Sequence, residues 1–251
     1  VRPRLGAVAV ACAAVLLAAG CTPSKPDVLP PPADTGPPPV YVAVGASETT
    51  GVGSDQPLRD GWPRVLHRTA LPAGAVFVNM GIPGATVAQA LDEEMSQALA
   101  AKPNLVTVWL NVNDLTRGVG PVDYERRLGV LVRTLRSGGS VRVLVANTPP
   151  LDTLPAFRSG RLFPEGVDGP DAETLRQQVD AYNAAIARVA GREGALLVDL
   201  HAVGMAARAA GTDAELVSRD GFHPSTAGHA AVAAAFADVL RSSGPLAAPS
   251  G

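Results

Sequence analysis

A parallel β-sheet with helices on both faces is the fold class that the sequence predicts, and three observations predict it. Five short apolar, β-branched runs recur after residue 39: Val40–Gly45, Ala75–Met80, Leu105–Leu110, Val141–Ala146 and Ala195–Leu200. Within each run the apolar residues are nearly continuous rather than alternating, as in strands buried on both faces. Segments with helical periodicity separate the runs, and strand–helix alternation at such spacings favours parallel pairing.

Each helical segment carries its own signals. A first helix, holding His67, falls between the first two strands. The next runs from Thr86 to Ala101, with Thr86 and Gln89 at capping-box spacing and Pro103 beyond its end. Tyr124, Leu128, Leu131 and Leu135 share one helical face, which Gly138 is expected to end. Leu175, Val179, Tyr182, Ile186 and Val189 repeat the pattern ahead of Gly191, and an Ala-rich helix spans Thr226 to Arg241. The longest irregular stretch, Asn147–Pro170, carries Leu151, Leu154, Phe157, Leu162 and Phe163, apolar groups suited to the wall of a pocket.

Composition narrows the function. The 251 residues are 47% hydrophobic and 18% charged, enough for a sizeable core, and disorder throughout is excluded. With 21 Lys and Arg against 23 Asp and Glu, no basic surplus exists to neutralise phosphates, so nucleic acid is not an expected partner.

Residues 1–39 read as address and tether. Arg2 and Arg4 precede an uncharged run from Leu5 to Ala19, the length of a signal-peptide core and short for a membrane span. The small residues before Cys21 resemble a bacterial lipoprotein signal, with residues 1–20 removed and Cys21 lipidated; a plain signal peptide or an N-terminal anchor is the alternative. Such a chain is expected outside the cytoplasm, held to the cell membrane by its lipid. Removal of Arg2 and Arg4 leaves 19 cations against 23 acids, a surface with nothing to gain from anionic headgroups. With Cys12 in the leader, the remaining domain has neither free thiol nor disulfide. Eight prolines between Thr22 and Pro39 make 21–39 an extended spacer of roughly 3 Å per residue. The folded domain is expected over 40–241, and 242–251 reads as a frayed tail.

Ligands bind such sheets outside the carboxyl ends of the strands, and four signals fall there or in the terminal loop. Ser47 follows the first strand in Gly45-Ala46-Ser47-Glu48; alone it reads as a turn former or helix cap. It is not the G-x-S-x-G elbow, because Thr49 stands where the second Gly belongs. After the second strand, Gly81 serves either a turn with positive φ or a bare backbone N–H facing the cleft. After the third, Asn113 in Asn111-Val112-Asn113-Asp114 is a turn residue or an amide donor to an anion. Near the end stands Asp220-Gly221-Phe222-His223-Pro224. There the carboxylate can fold back onto the ring Nδ1–H, and Pro224 biases His223 away from helix. Together these groups meet the needs of acyl transfer. Ser47 is the nucleophile, His223 its base and Asp220 the orienting carboxylate, while the N–H groups of Ser47 and Gly81 and the Asn113 amide stabilise the oxyanion.

The order Ser47, Gly81, Asn113, His223 resembles the four motif blocks of the SGNH, or GDSL-type, serine hydrolase superfamily, over about residues 40–241. The sequence departs from it twice: Ala46 replaces the Asp of G-D-S, and Asn111 the Gly of G-x-N-D. The resemblance implies a flavodoxin-like three-layer α/β/α sandwich with a five-stranded parallel sheet, and a Ser-His-Asp esterase or lipase without metal or other cofactor. The substrate is then an acyl ester, acetyl among them, on a small molecule, glycan or lipid, and a monomer is expected. The two departures motivate an alternative: a catalytically weak or inactive envelope protein that binds glycan or lipid. His67 is read as a surface residue, Asp199 as a helix cap and Asp114 as support for the Asn113 turn. His201 is placed at the cleft without evident partner, and His229 one turn into the last helix.

Overall fold

The computed structural model describes residues 37–137 and 139–246. The leader, Cys21 and most of the proline-rich spacer therefore lie outside the described residues, as does Gly138. The remainder forms one compact unit, centred on five strands: β1 (Val40–Gly45), β2 (Val76–Asn79), β3 (Leu105–Trp109), β4 (Arg142–Ala146) and β5 (Leu196–Val198). All pair in parallel in the order β2-β1-β3-β4-β5. That order is the flavodoxin-like one, and its reversal beside β1 leaves a crevice at the carboxyl ends of β1 and β3.

Six longer helices cover the sheet: α1 (Trp62–Ala70), α2 (87–100), α3 (Pro121–Leu135), α4 (Ala172–Glu193), α5 (Leu200–Ala210) and α6 (Thr226–Ser242). Successive strand side chains point to opposite faces, so the continuous apolar runs feed two cores. Val42, Val44, Val106, Val108, Val143 and Val145 pack with Leu128 of α3 and Ile186 of α4. Tyr41, Ala43, Leu105, Trp109 and Leu144 pack with Leu66 of α1 and with Phe236 and Leu240 of α6. Stacked rings lock neighbouring helices on each side: Tyr124 on Tyr182 at 4.3 Å, and Trp62 on Phe236 at 4.4 Å. Each large side chain so buried is worth about 1.5–3 kcal/mol against exposure, and these pairs hold the strand ends in fixed positions.

The expected three layers are present, with differences at element ends. The capping box of Thr86 and Gln89 forms as anticipated. The α2 helix then widens into a π turn over Ala90–Glu94, for which the sequence carries no periodic signal. α4 runs through Gly191 and stops at Gly194, which adopts the left-handed conformation (φ 68°) that closes helices. Asp199 caps α5 as anticipated, by accepting from the Ala202 N–H, but the fifth apolar run extends over Leu200, the first residue of that helix. At the chain's end Arg142 donates to the carbonyls of Gly244 and Pro245. Among the described residues no helix is long and apolar enough to cross a membrane.

Candidate active site

Ser47 stands where β1 gives way to the short helix Ser47–Thr50. The turn is tight because Gly45 admits it: a Cβ there would lie 2.1 Å from Thr49 Oγ1 and 2.9 Å from the Trp109 carbonyl. The N–H groups of Thr49 and Thr50 donate to the Ala46 carbonyl at 3.0 and 3.2 Å. In the first turn of this helix, the Ser47 N–H has no intrahelical acceptor.

The loop before α6 presents the imidazole. A bridge between Val217 and Pro224 closes its base, and the Ser218 N–H donates to the His223 carbonyl at 2.8 Å. Gly221 takes φ 80°, which turns the chain so that Asp220 folds back. One Asp220 oxygen, Oδ1, accepts from the Ser218 hydroxyl and from the N–H groups of Phe222 and His223, all at 2.8–2.9 Å. The other, Oδ2, lies 2.7 Å from His223 Nδ1, and His223 Nε2 lies 2.9 Å from Ser47 Oγ. Partial burial acts to raise the Asp220 pKa. The Phe222 N–H, the His223 ring, the Ser218 hydroxyl and the His223 N–H outweigh it and hold the carboxyl down at about 2.

Ser47, Asp220 and His223 are thus brought together across 176 residues of chain. Gly81 packs against the serine turn, where a Cβ would meet Thr49 at 3.0 Å and the Ala46 carbonyl at 3.1 Å. Close approach rather than a positive φ accounts for this glycine; three residues on, Gly84 is the glycine of this loop with a positive φ, 80°. The Gly81 N–H is not bare as expected, because the Asn79 side chain, two residues earlier, accepts from it at 3.0 Å. Asn113 Nδ2 donates to the Ala85 carbonyl at 3.0 Å, which uses one of its two amide hydrogens. Of the two departures, Ala46 is buried in the core, and Asn111 stands at the N-cap position of the short helix Val112–Thr116 without capping it, its Nδ2 instead donating to the Ala146 carbonyl at 3.4 Å.

Three buried acids support the site. Sequence periodicity gave no hint of two of them. Asp114 accepts from the Val87 N–H at 2.9 Å, tying the start of α2 to the Asn113 turn, and burial raises its pKa to about 6. Glu48 is 8% exposed, with Oε2 3.4 Å from Ser47 Oγ. Burial raises the Glu48 pKa, while its own N–H, the His223 ring and the Ser47 hydroxyl pull the other way without cancelling it. Glu94, at the end of the π turn, accepts from the Gly45 N–H at 2.9 Å, and its other oxygen is buried without a partner. Burial pushes Glu94 up to about 8 from 4.5. Folded Glu94 therefore keeps a proton that the unfolded chain has lost between those values, so stability falls as pH rises through that window. Glu94→Gln keeps the acceptor for Gly45 and removes the ionisation. Urea titrations from pH 5 to 8 are expected to show the variant gaining about 1.4 kcal/mol on the parent per pH unit. A constant difference would place Glu94 in its charged form.

The remaining histidines are structural. His229 is fully buried, accepting from the Trp62 N–H at Nδ1 (3.2 Å) and donating from Nε2 to the Val52 carbonyl (3.0 Å); burial lowers its pKa. His67 is half-buried rather than on the surface, with Nε2 2.7 Å from the Ala75 carbonyl and its ring stacked on Phe77. His201 does have a partner, the Thr148 carbonyl at 3.2 Å from Nδ1. Among the described residues no cluster of three His, Cys, Asp or Glu groups is placed to hold a metal.

A cavity of about 460 Å³ adjoins the site on the Glu48 side. Leu151 and Leu154 of the irregular stretch line it, as anticipated, but Phe157 and Phe163 turn away to pack on the core.

The fold is a three-layer α/β/α sandwich with Ser47, His223 and Asp220 hydrogen-bonded at the carboxyl edge of its sheet. The model of the GDSL-like lipase/acylhydrolase family matches residues 43–231, and the chain belongs to that family. An acetylxylan esterase of Geobacillus stearothermophilus is 30% identical over 166 residues, 65% of this chain and 71% of that protein. Among solved structures, the lipase/acylhydrolase of Enterococcus faecalis superposes with a TM-score of 0.63 at 21% identity, covering 85% of this chain and 99% of that one. A catalytic mutant of Axe2, an acetylxylan esterase of Geobacillus stearothermophilus, gives 0.62 at 24% identity, covering 80% and 94%. Nothing in these comparisons supports a protein that binds without catalysing.

Proposed function

We propose that the protein is a serine esterase acting on small acyl esters, acetyl esters among them, through Ser47, His223 and Asp220. The observation that carries this reading is the unbroken relay from Ser47 Oγ to His223 Nε2 at 2.9 Å and from His223 Nδ1 to Asp220 at 2.7 Å. Ser47 Oγ attacks the ester carbonyl as His223 Nε2 takes its proton. The resulting oxyanion accepts from the Ser47 N–H, the second Asn113 amide hydrogen and the Gly81 N–H, which turning the Asn79 side chain away releases. Collapse expels the alcohol, which takes the proton from His223. Water then attacks the acyl-enzyme with His223 again as base and frees the acid. The relationship to the acetylxylan esterase favours acetyl groups on glycans among the substrates. Acetate release from 4-nitrophenyl acetate and from acetylated xylooligosaccharides tests the reading. Turnover of the first is expected, and turnover of the second adds the glycan; release from neither contradicts an esterase of this kind.

A further inference from the structure

Among the described residues no Lys or Arg forms an ion pair with Glu48, the acid beside the nucleophile. Glu48 is more than nine-tenths buried and lines the cavity, and among the described residues the one side chain bonded to it is Ser47, whose Oγ at 3.4 Å is too far to satisfy a carboxylate. A buried acid so weakly partnered is costly to keep charged. At a reaction centre, a ligand group can supply what the protein does not. The cavity beyond Glu48 is walled mainly by apolar side chains, among them Leu151, Leu154, Leu200, Val203 and Ala231. Its cation Arg208 is already engaged, donating to Asp152 at 2.9 Å, and Arg158 lies exposed at the surface.

Resting on the serine-esterase reading, we propose that Glu48 and this cavity form the acyl subsite, selecting acyl groups with a hydrogen-bond donor on the carbon next to the ester carbonyl and an apolar remainder. Esters of apolar α-amino acids have this chemistry, with α-hydroxy acid esters as the uncharged counterpart. Reach supports it. In an ester of Ser47 the atom on the α-carbon lies roughly 3 Å from Oγ by ordinary bond geometry. Glu48 Oε2 lies 3.4 Å from the same oxygen, so an acyl group turned toward the Glu48 side brings that atom within hydrogen-bond range of the carboxyl. The apolar remainder enters the cavity, whose 460 Å³ exceeds what an acetyl group fills.

The test uses three methyl esters of one carbon skeleton: leucine methyl ester in both enantiomers, methyl 2-hydroxy-4-methylpentanoate and methyl 4-methylpentanoate. They differ only in ammonium, hydroxyl or hydrogen at the α-carbon. The wild-type protein is expected to favour at least one donor-bearing ester over the plain one by 10-fold or more in kcat/KM. Glu48→Met is expected to erase that ratio, whatever becomes of the absolute rates. Glu48→Gln separates the donors, because it erases a preference for ammonium and keeps one for hydroxyl. Independently, Ala231→Leu, which fills the cavity, is expected to lower leucine methyl ester against alanine methyl ester by 10-fold or more. Equal or greater kcat/KM for the plain ester, or a donor preference unchanged in Glu48→Met, overturns the subsite and leaves the esterase reading intact. Hydrolysis of no ester at all overturns both.

Discussion

Ser47→Ala is expected to lower kcat on an acetyl ester by about 10⁴-fold or more, with circular dichroism and thermal unfolding close to those of the parent. The hydroxyl is the one atom in the relay that forms a bond to substrate, so nothing remaining in the cleft replaces it. Removing the oxygen costs little structure, because its partners are the half-open His223 ring and the distant Glu48 oxygen. Ser54→Ala is the matched control. Its hydroxyl donates to the Gly51 carbonyl at 2.8 Å within the same loop and takes no part in the relay, so kcat is expected to stay within about 3-fold. Equal losses in the two variants would point to loop damage rather than to a nucleophile.

Asp220→Asn is expected to cost about 10³- to 10⁴-fold in kcat, for a reason that the hydrogen bonds make explicit. Three donors, the Ser218 hydroxyl and the N–H groups of Phe222 and His223, converge on Oδ1. In the variant they fix the amide oxygen there and turn the NH₂ toward His223 Nδ1. That nitrogen must then accept, so the ring proton moves to Nε2, where it blocks proton uptake from Ser47. Activity on a chromogenic acetate, followed with folded protein verified in parallel, checks this; a loss under 10-fold would show that Asp220 does not set the tautomer. In the parent protein Asp220, held at about 2 against an ordinary 3.8, stays ionised at any working pH. The stability it contributes is present above the ordinary value and is lost as pH falls through about 2.

The fold was legible because a doubly covered parallel sheet writes itself as separate apolar runs. The five runs fall on the five strands, with ends displaced by no more than two residues. Legibility failed where two signals competed for the same residues. Leu200 continues the β5 run and also begins α5, and Gly191 imitates the helix stop that Gly194 performs. At the site, Ser47, Gly81, Asn113, Asp220 and His223 stood out because each sits just past a strand or in the loop before the last helix. Glu48 and Glu94 did not. A carboxyl in a helical segment reads as solvent-facing, and only long-range packing turns these two inward, Glu48 toward the cavity and Glu94 onto the Gly45 N–H, 49 residues away. The occupied Gly81 N–H was hidden for a different, local reason: pairing with Asn79 depends on a side-chain rotamer, which residue types do not reveal.

Everything chemical rests on Ser47 being the atom that His223 activates. Peptide mass mapping after inactivation by a fluorophosphonate tests this most directly. A single adduct on the peptide bearing Ser47, formed far more slowly in Asp220→Asn, is the result the account predicts. An adduct on another serine, or inactivation that leaves Ser47 unmodified, would contradict it.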